Sequence, residues 1–306
     1  MIKKAIVLFS NGLDSRLAVK IMQEQGFDVL GVYFKLPFNK DAEKEVMKFA
    51  NENKIKLKIF DYTSDDLLKD YLKIIKKPEF CRGAGLNPCI DCRIFLLKKI
   101  KKYAKEKNIE IIVTGEVLGE RPMSQTLKSM KLIEKKAGLK GKILRPLSAK
   151  LLDKTNAEKK RSINRNSFYD ICGRRREMQM QLAKKFKINY PAPAGGCLLC
   201  EKELKKRFKT LLKKRMNHDK VRLLEIGRHF LIDNVWIVLG RNEQENNIIE
   251  GLKNKYPVIT PDFIGPSAII LDKCNKKIRQ EVDELVRVYS KQGELEDRDK
   301  FEKWRL

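Results

Sequence analysis

Short apolar runs alternate with longer amphipathic stretches through the first half of the chain. The apolar runs cover residues 5–9, 29–34, 57–60, 111–113 and 143–144. Between them, apolar side chains recur at the helical period over about 14–25, 41–53, 64–75 and 91–107. Strands that alternate with helices of this length form right-handed βαβ units. We therefore predict an α/β domain over residues 1–190, with a parallel sheet covered by helices on both faces.

The pattern changes over residues 191–306, which predict a smaller, basic α+β module. Residues 202–222 favour one amphipathic helix with a strongly basic face. Runs at 229–233 and 235–239 predict a hairpin about Asn234. A Glu- and Asn-rich helix follows Gly240, and a strand at 268–271 and a charged helix close the chain.

Two segments connect these regions. Residues 152–187 are basic and are predicted to be helical, with a helix that opens at 173–176. Residues 190–196 contain two prolines and two glycines and break all periodicity. We expect this loop to deliver Cys197 to a defined place.

A polar turn, Ser10-Asn11-Gly12-Leu13-Asp14-Ser15, separates the first predicted strand from the first helix. The N–H groups of such a turn and of the first helical turn converge on one point, where the helix dipole favours an anion. The alternative is an ordinary strand–helix turn capped by Asp14. Ligands of parallel sheets bind at the carboxyl ends of the strands. Phe34, Thr114 and Gly115 end two other predicted strands, so we expect them beside the turn.

The charge of the chain indicates a polyanionic partner. It carries 67 basic and 40 acidic side chains, a formal net charge of +27. Heat-adapted surfaces are also rich in lysine, but there the acids keep pace with the bases. A membrane surface would require a basic amphipathic anchor, and neither terminus shows one. Nucleic acid is therefore the favoured partner. Without a predicted membrane span or leader sequence, we expect a cytoplasmic protein.

Seven cysteines in such a chain are poor candidates for structural disulfides. Four of them form two CxxC pairs, Cys89 with Cys92 and Cys197 with Cys200. The isolated ones, which we assign to the core or the surface, are Cys81, Cys172 and Cys274.

The Ser-x-Gly-x-Asp-Ser turn resembles the pyrophosphate-binding loop (PP-loop) of ATP pyrophosphatases, although that family usually has glycine at the position of Asn11. Three later motifs follow in the order of the tRNA thiouridine synthases. They are Asn87-Pro88-Cys89-Ile90-Asp91-Cys92-Arg93, the stretch from Thr114-Gly115-Glu116 to Gln125, and Leu144-Arg145-Pro146-Leu147. The stretch from Thr114 resembles that of 4-thiouridine synthase, and the Asn87 motif resembles that of tRNA 2-thiouridylases. Residues 235–246 are similar to the core of the NFACT RNA-binding module.

The resemblance implies a PP-loop (adenine nucleotide alpha hydrolase-like) fold and an ATP-dependent tRNA sulfurtransferase. ATP would adenylate a uridine carbonyl oxygen, and sulfur would then displace AMP. The ATP phosphates would be held by residues of the turn: Ser10, Asn11, Gly12, Leu13, Asp14 and Ser15. Asp14 would cap the helix or bind Mg²⁺, which neutralises phosphate charge. Arg121 would stabilise phosphate charge or contact tRNA.

The cysteines leave three routes for sulfur delivery open. One CxxC pair and a remote cysteine suit a [4Fe–4S] cluster with one free iron, which makes Cys89, Cys92 and Cys197 the candidate catalytic ligands and Cys200 an alternative ligand. Two CxxC pairs equally suit structural Zn²⁺. A metal-free route would use a cysteine persulfide and a second cysteine. The sulfur source would be a protein persulfide or sulfide, and the oligomeric state is left open.

Two other function classes compete with tRNA thiolation. Another PP-loop activity, such as amidation or lysidine formation, would not require the cysteines. A non-catalytic RNA-binding protein with a vestigial ATP fold would not require Asp14.

Overall fold

The computed structural model describes residues 3–39, 41–63, 65–80, 83–192, 197–214, 216–291 and 293–306. It divides into two compact units, Met1–Lys202 and Glu203–Leu306. No helix in these described ranges is long and apolar enough to cross a lipid bilayer.

The first unit is built on a parallel sheet with the order β3-β2-β1-β4-β5. Its strands are β1 (Lys4–Leu8), β2 (Asp28–Lys35), β3 (Lys56–Asp61), β4 (Ile111–Thr114) and β5 (Ile143–Leu144). In the centre, Val7 of β1 lies opposite Gly31 of β2 and Val113 of β4. The carboxyl end of β1 is therefore flanked by those of β2 and β4.

Helices cover both faces of this sheet, as the sequence predicts. They are α1 (Leu13–Glu24), α2 (Glu43–Glu52), α3 (Asp65–Lys76), α4 (Cys89–Glu106), α5 (Leu127–Ala137), α6 (Asn156–Lys159) and α7 (Glu177–Lys185). On one face, α1, α2 and α7 share a buried cluster with alternate residues of β1. On the other, Phe60 meets Tyr103 of α4 edge to face at 5.6 Å. Each large apolar side chain that is fully buried between the sheet and its helices contributes about 1.5–3 kcal/mol to the free energy of folding.

The prediction of a helical segment over residues 152–187 is wrong for most of its length. Only α6, α7 and a three-residue 3-10 helix form there. Short polar side chains favour turns over helix interiors, and here the Asn164 side chain accepts the N–H of Asn166 at 3.0 Å. Arg165 then fixes the turns by donating to the carbonyl oxygens of Ala149 and Leu152.

The second unit contains an antiparallel sheet with the order β6-β7-β9-β8. Its strands are β6 (Arg228–Ile232), β7 (Val235–Leu239), β8 (Val258–Ile259) and β9 (Ala268–Ile270). Asp233 and Asn234 turn the predicted hairpin with φ angles of 45° and 63°, as a tight primed turn requires. The sheet packs on a helix, α11 (Lys276–Val288), where Val282 and Leu285 are fully buried.

Helices of the second unit differ from the sequence expectation at two points. They are α8 (Lys205–Lys213), α9 (His218–Arg222), α10 (Glu243–Glu250), α11 (Lys276–Val288) and α12 (Leu295–Glu302). The single helix predicted over 202–222 is two, because the Asn217 side chain accepts the N–H of Lys220 at 2.9 Å and starts α9 anew. The closing charged helix is also two helices, α11 and α12.

Candidate active site

The turn after β1 leads directly into α1. Gly12 is the N-cap residue, and no side chain of the described residues caps the helix, so the predicted capping role of Asp14 is wrong. Ser15 Oγ instead donates to the carbonyl oxygen of Gly12 at 2.8 Å and accepts the N–H of Ser10 at 3.3 Å. The first N–H groups of α1 are left for an external anion.

Asn11 adopts a left-handed conformation with a φ of 68°, which asparagine tolerates better than most residues. Its side chain also has a partner: Arg16 Nη2 donates to Asn11 Oδ1 at 2.6 Å, and Arg16 Nε to the Asn11 carbonyl oxygen at 3.0 Å. The Arg16 guanidinium lies 4.6 Å from the centre of the Phe49 ring. Sequence reasoning missed Arg16, although an arginine next to Leu17 on the apolar face of α1 is a visible anomaly.

The end of β4 forms a wall of the turn. A Cβ added at Gly115 would lie 2.5 Å from the carbonyl carbon of Asp14, so only glycine fits this approach. Thr114 is buried, and its hydroxyl donates to Glu116 at 3.0 Å. Phe34, the third residue expected here, is buried in β2 and stacks on Phe60 at 5.3 Å; its contact with a nucleotide stays a prediction.

Asp14 lies beside a second carboxylate, that of Glu120. Burial, and next the charge of Glu120, raise the pKa of Asp14 to about 6, while Arg176 opposes the rise. Arg176 donates to Glu120 Oε1 at 2.9 Å, whereas Asp14 Oδ1 is buried and has no hydrogen-bond partner among the described residues. Two carboxylates with one unpartnered oxygen are suited to a cation.

The four paired cysteines lie near one another, since the charges of Cys92, Cys197 and Cys200 all act on Cys89, and we call them the cysteine cluster. Cys89 and Cys92 occupy the first turn of α4, and Cys89 Sγ lies 3.7 Å from Cys200 Sγ. Cys92 Sγ lies 3.4 Å from the hydroxyl of buried Tyr71, and Cys197 Sγ donates to the carbonyl oxygen of Phe38 at 3.6 Å. The sequence placed Cys200 only as an alternative, but it contacts Cys89 directly.

Backbone contacts bring the two CxxC segments together. The carbonyl oxygen of Leu199 accepts the N–H groups of Leu86 and Asn87, each at 3.0 Å. Gly85 permits this approach, since a Cβ there would lie 2.8 Å from the carbonyl carbon of Cys200. The N–H of Leu198 donates to Phe38 at 3.1 Å.

The thiols influence one another's ionisation. The hydrogen bond with Cys89 lowers the pKa of Cys200 to about 7, and the same bond raises the pKa of Cys89. Burial raises the pKa of Cys92 and of Cys197. One thiolate near neutral pH, held by a protonated partner, is the arrangement of a reactive or metal-binding pair.

A buried ion network joins the cysteine helix to the wall of the turn. Arg93, next to Cys92, approaches Glu116 Oε1 to 3.1 Å, and Arg145 Nε donates to Glu116 Oε2 at 2.9 Å. Arg145 also pairs with Glu134. Despite burial, the two arginines hold the pKa of Glu116 below its usual value.

The remaining candidates have other environments. Asp91 accepts the N–H groups of Glu79 and Phe80 at 2.8 and 3.0 Å and so fastens the preceding loop. Cys172 is exposed and Cys274 packs against the second core, while Cys81 and residues 193–196 lie outside the described residues. Among the residues that are described, no group of three or more His, Cys, Asp and Glu is arranged around a single metal ion.

The turn and the cysteine cluster meet the same edge of the sheet. The turn follows β1, Phe38 follows β2, and Glu120 and Arg121 follow β4. The charge of Arg121 acts on Cys200, which ties the loop after β4 to the thiols. The polar turn and the thiols thus flank one region at the carboxyl ends of adjacent strands.

Comparison with known families and curated sequences gives consistent matches. Residues 2–185 match the family model of the thiamine biosynthesis protein (ThiI), and residues 227–300 match that of the NFACT protein RNA binding domain. A probable tRNA sulfurtransferase of Methanocaldococcus jannaschii is 32% identical over 162 residues, 51% of this chain and 39% of the relative. A tRNA-specific 2-thiouridylase of Karelsulcia muelleri is 26% identical over 243 residues, 74% of this chain and 58% of the relative. The chain therefore spans only part of each.

Among solved structures, a 4-thiouridine synthetase in complex with RNA and ATP aligns with a TM-score of 0.40 and 20% identity. That alignment covers 73% of this chain and 52% of the other. A predicted subunit of a tRNA methyltransferase from Methanocaldococcus jannaschii aligns with a TM-score of 0.41 and 14% identity, over 71% of this chain and 91% of the other.

Proposed function

The chain belongs to the ThiI family, and we propose that it is an ATP-dependent tRNA sulfurtransferase that converts a uridine of tRNA to thiouridine. A carbonyl oxygen is a poor leaving group, so it must be activated before sulfur can replace it. The uridine oxygen attacks the α-phosphorus of ATP and pyrophosphate leaves. A sulfur nucleophile then attacks the activated carbon, and AMP departs with the oxygen.

One observation carries this proposal: an anion-binding turn and a four-cysteine cluster share one sheet edge. The turn alone is compatible with many ATP-splitting reactions. Amidation and lysidine formation, however, do not require cysteines. They therefore do not explain why backbone bonds through Leu199 and Phe38 hold two CxxC segments beside that turn.

For the first step, the chain supplies an anion site. The N–H groups at the start of α1 bind the departing pyrophosphate, and the hydroxyls of Ser10 and Ser15 add donors. The residues also fit Mg²⁺, a hard cation that prefers carboxylate and phosphate oxygens and keeps several waters. Asp14 and Glu120 would hold it, and when bound it neutralises phosphate charge.

For the second step, the cysteine cluster supplies the thiolates. The donor set suits a [4Fe–4S] cluster, whose thiolates bind different irons and need not converge on one point. Cys89, Cys92 and Cys197 would hold it, with Cys200 as the alternative ligand. When bound, such a cluster offers an iron with an open position for sulfide. Structural Zn²⁺ is the competing occupant.

The contact between Cys89 and Cys200 favours a second route of sulfur delivery. Their sulfurs are 3.7 Å apart. One of the two cysteines can therefore carry a persulfide received from a donor protein, and the other cysteine can attack the inner sulfur of that persulfide. The outer sulfur then passes to the activated carbon and a Cys89–Cys200 disulfide remains. An external dithiol reductant must restore the two thiols after each turnover.

The second unit supports an RNA substrate, because residues 227–300 match an RNA-binding domain and the whole chain carries a net charge of +27. We assign tRNA as the macromolecular partner, with no membrane involved.

Activity is tested with chain purified without oxygen, an unmodified tRNA transcript, ATP, Mg²⁺ and sulfide. Thiouridine is measured by mass spectrometry of the nucleosides, together with AMP and pyrophosphate. Cys89→Ala should abolish thiouridine, whereas Cys172→Ala, a change at an exposed thiol, should leave it unchanged. Full activity of Cys89→Ala would favour another PP-loop reaction. RNA binding without AMP formation, unaffected by Asp14→Ala, would favour a non-catalytic RNA-binding protein.

The occupant of the cysteine cluster is tested by elemental analysis of the same preparations. A [4Fe–4S] cluster predicts about four irons and four sulfides per chain in the wild type and their loss in Cys197→Ala. Zinc without iron would refute the [4Fe–4S] cluster. If neither metal is found and activity depends on a persulfide donor and a reductant, the persulfide route is identified.

A further inference from the structure

An arginine-rich surface lies at one end of the sheet of the second unit. It is formed by five arginines from separate elements and one tyrosine: Arg207, Arg228, Arg241, Arg298, Arg305 and Tyr289. Arg207 belongs to α8, Arg228 begins β6, Arg298 lies in α12, and Arg305 forms a bridge to Phe230 of β6. Arg207 belongs to the basic stretch 202–222 that the sequence singles out, whereas the other four arginines lie outside it.

Three of these arginines are oriented by neutral partners. Arg207 donates to the carbonyl oxygen of Leu224 at 2.8 Å, Arg228 to that of Gly240 at 3.3 Å, and Arg298 to that of Val288 at 3.4 Å. The guanidinium groups of Arg228 and Arg298 also lie 5.4 and 5.1 Å from the centre of the Tyr289 ring. Carbonyl and ring contacts fix a guanidinium without neutralising it.

Acids offset only part of the positive charge. Arg241 pairs with Glu245, and Arg305 with Glu302 at 2.7 Å. Across the described part of the chain, no carboxylate forms an ion pair with Arg207, Arg228 or Arg298. Five guanidinium groups against two carboxylates leave a formal charge of +3. The arginines also repel one another: after burial, the charges of Arg305 and Arg298 lower the pKa of Arg228.

We propose that this surface, centred on Arg228, Arg298 and Tyr289, binds the phosphate backbone of the RNA substrate. Arginines repel one another, so a cluster that retains a charge of +3 favours a polyanion. Planar guanidinium groups bind phosphate oxygens bidentately. Because they are held by carbonyl groups and a ring, little side-chain entropy is lost on binding. The inference rests on the proposed tRNA substrate and assigns the residues that hold it.

The test measures binding of an unmodified tRNA transcript to the full chain as a function of salt. The double variant Arg228→Gln/Arg298→Gln should weaken binding about tenfold or more near 0.1 M salt, and the slope of log K against log salt should fall by about 2. The matched control is Lys276→Gln/Arg279→Gln. It removes the same charge towards the other end of α11, about 15–20 Å from Tyr289 at 1.5 Å per residue, and should reduce the slope less.

Arg305→Gln keeps the test decisive if the double variant does not fold, because Arg305 is exposed and, within the described ranges, forms an ion pair with Glu302 alone. It should lower the salt slope by about 1. The proposal would be overturned if the control variant lost as much tRNA affinity as the variants of the arginine-rich surface. Unchanged tRNA binding in the variants of that surface would also overturn it. In the thiolation assay, the variants of the arginine-rich surface should have a higher KM for tRNA and an unchanged kcat. A wild type that binds tRNA through these arginines but forms no thiouridine would refute only the proposed activity.

Discussion

Asn11 holds the turn after β1 in a backbone conformation that most residues avoid, and its side chain fixes Arg16. These two contributions are separable. Glycine would keep the backbone and lose the side-chain bond, whereas alanine would lose both.

Asn11→Gly should therefore destabilise the first unit by about 1.5–3 kcal/mol, the usual contribution of a hydrogen bond to a charged group. Asn11→Ala should cost about 1–2 kcal/mol more, because a Cβ is strained at positive φ. Urea unfolding followed by circular dichroism measures both. Equal stabilities of the two variants would show that the left-handed conformation is not required.

His229 predicts the pH dependence of the second unit. Its Nε2 pairs with the carbonyl oxygen of Ile226 at 2.8 Å, and its Nδ1 accepts the indole N–H of Trp236 at 3.0 Å. Burial, and next the positive charge of Arg207, lower the pKa of His229 to about 3 and keep the ring neutral, although the bond to Ile226 opposes this shift. The unfolded chain binds a proton near pH 6.5, so this stabilisation is complete above pH 6.5 and is lost as the pH falls towards 3.

Between pH 6.5 and 5 the unfolding free energy should fall by about 2 kcal/mol, at 1.4 kcal/mol per pH unit. Tryptophan fluorescence measures it selectively, since both tryptophans, Trp236 and Trp304, lie in the second unit. His229→Gln cannot titrate in this range and should remove most of the dependence. An unchanged slope in that variant would exclude His229 as its source.

At the scale of the elements, the approach of β4 to α1 depends on Gly115. Gly115→Ala would place a Cβ 2.5 Å from the Asp14 carbonyl carbon, so α1 or β4 must move. We expect a loss of pyrophosphate release and a lower unfolding temperature. Gly12→Ala is the stability control, since its Cβ would be 3.7 Å from Ser10 Oγ. A Gly115→Ala variant as stable as Gly12→Ala would contradict the close approach.

The network around Glu116 links α4, β4 and β5. Glu116→Gln would leave the buried Arg145 and its neighbour Arg93 without their shared carboxylate, which should cost about 3–5 kcal/mol. Lys48→Gln removes one member of an exposed pair with Glu52 and should change stability by less than about 1 kcal/mol. Denaturant unfolding compares the two, and a similar small loss in both would show that the network contributes little.

Periodicity predicted the five strands of the first sheet to within one or two residues. Most of these strands are largely buried and leave continuous apolar runs, whereas the edge strand β3 is partly exposed. It did not predict the loops between α6 and α7, where Arg165 and short polar side chains decide the path. The PP-loop motif and the CxxC pairs were visible as local patterns. Arg16, Glu116 and the contact of Cys89 with Cys200 depend on residues that only the tertiary fold brings together.

At the scale of the whole molecule, the boundary between the units remains open to experiment. The sequence places it after residue 190, while the compact units divide at Lys202. Leu199, 2% exposed, accepts two N–H groups of the first unit. A fragment 1–202 should therefore unfold at a higher temperature than a fragment 1–190. Equal unfolding temperatures in calorimetry would place the boundary at 190.

The cysteine cluster is completed only when both of its segments have been synthesised. Cys89 and Cys200 are 111 residues apart in sequence, and ribosomes add about 5–20 residues per second. Cys89 and Cys92 are therefore synthesised about 5–20 seconds before the segment with Cys197 and Cys200 that packs against them. During that interval they are ordinary exposed thiols, open to oxidants and to any soft metal in the cell. The site can therefore mature only after translation has passed residue 200, which makes its loading a late step in the life of the chain.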